Sequence, residues 1–73
     1  MVNLHKHFLM MLGKSIREKR EKMGISQEQL GKLAKCHRTY VGMVERGEKN
    51  ITVLNMQKFA QALGVPLRDL IDF

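Results

Sequence analysis

The sequence predicts an all-α fold of five short helices in a compact arrangement, and three observations predict it. Apolar residues recur at three- and four-residue spacings along most of the chain, strand-like alternation is absent, and breaks at Gly24, Cys36, Gly47 to Asn50 and Gly64 separate the periodic segments. With 73 residues, the chain is expected to form one small domain over 1–73, residues 1–7 being a frayed N-terminal extension. A domain of this size buries only about 60% of the surface its unfolded chain exposes, which leaves little room for an enclosed active site.

The first helix is expected from about Phe8 to Lys22, with Leu12, Ile16 and Met23 inward and Lys14, Arg17, Lys19, Glu21 and Lys22 largely outward. A second helix starts at Ser26, whose hydroxyl suits an N-cap, and Glu28 in its first turn complements the positive helix end. Leu30, Leu33 and Ala34 then form one apolar stripe, leaving Gln27, Lys32 and Lys35 for water or phosphate. After a short break the third helix is expected from Arg38 to Arg46, with His37 near its N-cap and Gly47 as its left-handed C-terminal residue. Val41 and Val44 face inward, so Arg38, Thr39, Tyr40, Met43 and Arg46 point away from the core or along its border. Thr52 can cap a fourth helix whose core face includes Leu54, Met56, Phe59, Ala62 and Leu63, ended by Gly64. Pro66 is tolerated in the first turn of a last helix running from Leu67 to about Ile71.

Helices two and three thus form a helix-turn-helix whose second member carries cationic and polar groups outward, an arrangement suited to a DNA groove. The net charge is +6, and residues 1–38 hold nine Lys or Arg against three Glu while residues 39–73 balance four against four. That surplus favours a polyanionic partner, although charge alone fits a ribosome or membrane surface equally well. No apolar run reaches the about 18 residues of a membrane span, and the N-terminal FLMML lacks the length and cleavage site of a signal peptide. The single Cys36 fits a reducing compartment, so a cytoplasmic location is expected. His5, His7, Cys36 and His37 match no standard metal-ligand spacing, and neither a paired-carboxylate, nucleophile-elbow nor phosphate-loop pattern is present; no metal, cofactor or enzymatic activity is expected.

Four local motifs make the pattern more specific: Ile16-Arg17 in the first helix, G-I-S-Q-E-Q-L at Gly24 to Leu30, V-E-R-G at Val44 to Gly47, and A-L-G-V at Ala62 to Val65. Over roughly Leu12 to Phe73 the chain resembles the phage repressor and Cro (XRE-type) helix-turn-helix family of DNA-binding proteins. Within that family, H-R-T-Y at His37 to Tyr40 followed by E-R-G-E-K-N-I at Glu45 to Ile51 is similar to the controller proteins of restriction-modification systems. The resemblance implies a repressor-like fold and a small homodimeric transcriptional regulator.

Recognition helices present their N-terminal residues to base edges, which makes Arg38, Thr39 and Tyr40 the leading base-contacting candidates. Arg38 can donate two N–H groups to guanine O6 and N7, or else pair with a neighbouring acid. Thr39 can meet a thymine methyl or a phosphate, and Tyr40 can offer its hydroxyl or ring to DNA or lie half in the core. Met43, one turn on, can touch bases or fill a gap beside the core. Exposed amides at the second helix's start favour an anion near Gln27, where the resemblance also implies a phosphate contact; the alternative is a solvated glutamine. The resemblance further implies backbone and occasional base contacts from Arg46, Lys49 and Asn50, Lys49 being otherwise a solvated lysine, and a structural ion pair between Glu45 and Arg20.

One such module reads few base pairs, so two copies on a palindromic operator are expected, their recognition helices about 34 Å apart. Leu67, Leu70, Ile71 and Phe73 are the candidate dimer interface; they can instead close the monomer's core, and FLMML offers a second surface. The partners expected are therefore double-stranded DNA and a second copy of the chain, with RNA polymerase a further candidate. A protein-binding module such as an antitoxin or antagonist is the competing reading, and nonspecific nucleoid or RNA binding is weakened by the scarcity of aromatic platforms.

Overall fold

The computed structural model describes residues 4–73. Five helices follow in order: α1 over Leu4–Lys22, α2 over Gln27–Ala34, α3 over Arg38–Glu45, α4 over Val53–Leu63 and α5 over Leu67–Leu70. Each boundary has a local cause. Ser26 caps α2 by accepting from the Gln29 N–H at 3.0 Å while the Gln29 side chain accepts from the Ser26 N–H at 2.8 Å, a reciprocal capping box. Thr52 caps α4 through the Asn55 N–H, and Gly64 ends that helix with φ of 70°. Past α3, Gly47 at φ 73° lets the Glu48 N–H reach back to the Met43 carbonyl, so that the helix stops in a left-handed turn.

The boundary that moves is the first. Part of the stretch expected to fray, residues 1–3, lies outside the described residues, whereas residues 4–7 form the opening turn of α1. Nothing in that turn breaks a helix, and the Phe8 ring just after it packs against Phe73, centroids 5.5 Å apart. At the other end Pro66 stands as the N-cap of α5, outside the helix, and Ile71 follows the last turn.

Leu12 and Ile16 of α1, Leu30 and Ala34 of α2, Val41 and Val44 of α3, Phe59, Ala60 and Leu63 of α4 and Leu70 of α5 make one core. α2 packs on α3 and α4, α1 on α3, and α5 closes against α4 and α1. Three residues expected inside are exposed. Leu33 flanks the buried Leu30–Ala34 line, Leu54 sits in the first turn of α4 beyond the reach of the core, and Met23 follows the end of α1. Ala60, which the sequence reading left out, is fully buried on the α4 face with Phe59 and Leu63, while Met56 and Ala62 pack half-buried against the same core. No helix among the described residues is long and apolar enough to cross a membrane.

Candidate nucleic-acid interface

The helix pair is set by two close approaches. α2 ends at Lys35, which takes a left-handed conformation at φ 59°, and the Cys36 N–H returns to the Gly31 carbonyl at 2.8 Å. A Cβ on Gly31 would lie 2.6 Å from the Cys36 carbonyl oxygen, so only glycine lets the turn fold back this tightly. His37 then caps α3, its Nδ1 accepting from the Thr39 N–H at 3.0 Å. Behind α3, Val41 and Val44 are 0% and 2% exposed, which fixes the rotation of the helix and turns Arg38 and Thr39 to solvent.

Glu45 closes the other end of α3 from the inside. Its side chain is 2% exposed and accepts from Arg20 Nε at 2.7 Å and Nη2 at 3.1 Å, while Arg20 Nη1 donates to the Ile25 carbonyl at 2.9 Å. The bond to Glu45 holds the Arg20 guanidinium even more firmly protonated than an ordinary arginine. Gln27 joins the same carboxylate, donating Nε2 to Glu45 at 3.0 Å. It is therefore half-buried and anchored rather than solvated; what remains for a phosphate is its second amide hydrogen and the unpaired N–H groups of the first α2 turn. Gln27 and Arg46 both lie over Gly42, whose absent Cβ would stand 3.0 Å from Arg46 Nη1 and 3.5 Å from Gln27 Oε1.

Tyr40 is half core: its ring stacks over Phe59 at 6.2 Å and 15°, and its hydroxyl accepts from Asn55 Nδ2 at 3.1 Å. One face of the ring is thereby covered, and the hydroxyl keeps its own proton to donate. Met43 is half-buried, Lys49 and Asn50 are exposed beyond α3, and Arg38 and Arg46 are exposed but paired. Arg38 Nη1 donates to Glu28 at 3.3 Å, and Arg46 donates through Nε and Nη2 to Glu48 at 2.9 and 3.2 Å. Arg46 holds the Glu48 carboxyl below the ordinary carboxylate range. Sequence reasoning missed Glu28, Glu48 and Gly42. The Arg46-x-Glu48 spacing was a visible signal; nothing local announces that Glu28, ten positions away, meets Arg38.

Leu67, Leu70, Ile71 and Phe73 differ in exposure. Leu70 is 0% exposed and belongs to the monomer's core, which corrects its place in a dimer interface; Leu67 is half-buried, whereas Ile71 and Phe73 are 42% and 52% exposed.

A family model described as helix-turn-helix matches residues 16–70. Control protein C.BamHI from Bacillus amyloliquefaciens is 40% identical over 65 residues, covering 88% of this chain and 80% of the relative. Control protein C.SmaI from Serratia marcescens is 38% identical over 60 residues, covering 82% and 71%. Among solved structures, the restriction-modification controller protein C.AhdI from Aeromonas hydrophila superimposes with a TM-score of 0.87 at 42% identity, covering 90% of this chain and 96% of that one.

Proposed function

The chain belongs to the helix-turn-helix family, XRE type, and on that premise we propose that it is a DNA-binding transcriptional regulator of the restriction-modification controller type. It acts in the cytoplasm as a single small domain and binds a palindromic operator as a homodimer, one α3 entering the major groove at each half-site. The observation that carries this reading is the two-sidedness of α3: Val41 and Val44 buried behind, Arg38 and Thr39 exposed in front. Arg38 and Thr39 read base edges with help from the Tyr40 hydroxyl and Met43, while Gln27, Arg46, Lys49 and Asn50 hold the backbone on either side. Ile71 and Phe73, with Phe8 against Phe73, supply the exposed apolar residues of the dimer contact, and the half-buried Leu67 contributes what it leaves uncovered.

The test is binding to an operator selected from random duplexes and to its scrambled counterpart at one salt concentration. A large ratio of affinities is expected; equal affinities would remove sequence-specific regulation, and a stoichiometric protein partner without a selected DNA sequence would replace it with a protein-binding role. Restriction endonuclease and methyltransferase genes beside the coding sequence are expected for the controller role.

A further inference from the structure

Glu28 and Glu48 stand on a face that meets a polyanion, and each holds an arginine by a different edge. Arg46 presents Nε and Nη2 to Glu48, so its Nε/Nη2 edge is filled within its own chain. Arg38 gives Glu28 only one Nη1 hydrogen at 3.3 Å, and its Nε/Nη2 edge has no partner among the described residues. A two-bond reading of guanine O6 and N7 can be made through this edge. Glu28 is itself well placed as a fixed point: it sits on α2, whose seat against α3 is set by the Gly31 approach and the Gln27–Glu45 bond, and Lys32 steadies its other oxygen at 3.8 Å.

We propose that Glu28 is a specificity-determining positioning residue, which holds the Arg38 guanidinium by one N–H so that its remaining edge is presented to a base; this rests on the reading of α3 as the recognition helix. An arginine already held in place loses less rotamer freedom when it docks, and that saving is realised only where the guanidinium reads a base. Against random duplex the carboxylate merely repels phosphate. Charge and positioning therefore act in opposite directions. Removal of an acid near DNA tightens binding everywhere if the acid is only a charge, but lowers the operator-to-scrambled ratio if it positions Arg38.

The experiment compares Glu28→Gln with Glu18→Gln in the full chain. The second variant makes the same charge change on α1, at a residue whose ion pair with Lys14 is long, at 4.0 Å, and exposed. Both substituted side chains are more than half exposed, and circular dichroism and melting verify the fold. Glu28→Gln is expected to lower the operator-to-scrambled affinity ratio about fivefold while scrambled binding holds or rises, an effect that vanishes in an Arg38→Ala background. Glu18→Gln should leave the ratio alone. An equal rise in both affinities for Glu28→Gln, or the same loss of ratio without Arg38, overturns the proposal. A wild-type ratio near one would instead overturn the regulator reading and this proposal with it, so the two failures are distinguishable.

Discussion

At the scale of single residues, Glu45 carries the largest energetic stake, because its charge is held in the interior by three hydrogen bonds from Arg20 and Gln27. Breaking a buried pair from one side leaves a charge without compensation and costs about 3 to 5 kcal/mol. Arg20→Met is therefore expected to lose most of the stability of so small a domain, read as a fall in the urea midpoint at unchanged slope. Exposed pairs behave differently. The Glu48 carboxyl is depressed by Arg46, so the pair's contribution is complete above the ordinary carboxyl value of 4.5 and is lost as pH falls through the lower folded value. Arg46→Gln should move the Glu48 titration midpoint, followed by carboxyl NMR shifts, upward. For the bases, Arg38→Ala should weaken discrimination at one base pair by about 1 to 3 kcal/mol. Gln27→Ala should weaken all duplexes alike and lower stability as well, since it strips one donor from the buried carboxylate.

At the scale of elements, two backbone positions decide how the helices meet. Lys35 occupies a left-handed conformation that side chains with a Cβ enter at a cost of about 1 kcal/mol, so Lys35→Gly should raise the melting free energy by roughly 0.5 to 1 kcal/mol. Gly13 presents the opposite sign. Within a helix, glycine is ordinarily about 1 kcal/mol worse than alanine. Here a Cβ on Gly13 would collide with the carbonyl oxygens of Val44 and Glu45, where α1 crosses the end of α3. Gly13→Ala is thus expected to destabilise by about 1 to 3 kcal/mol and to displace α3, measurable by thermal melting and by loss of operator binding.

At the scale of the whole molecule, the proposed dimer contact at the exposed Phe8, Ile71 and Phe73 is expected to separate assembly from folding. Ile71→Asp should shift sedimentation toward the monomer and weaken operator binding while the monomer melts nearly unchanged. Leu70→Ala, one position away but fully buried, should instead cost about 2 to 5 kcal/mol of stability. The domain's longest dimension is 37 Å, close to one turn of duplex at about 34 Å, so on the proposed reading each copy covers one half-site and presents one α3 to it.

Helix number and type, the caps at Ser26, His37 and Thr52, the stop at Gly64 and the inward valines of α3 were legible in the sequence, because each depends on neighbours within about one helical turn. The resemblance to the family rested on the same local motifs. The tertiary structure alone decided that Leu33 and Leu54 stay outside, that Tyr40 lies on Phe59, that Leu70 belongs to the core, and that Glu28 holds Arg38. Helical periodicity marks a stripe but not its edges, and which edge is covered depends on how far the next helix reaches, a fact written in the packing of distant segments rather than in any one of them.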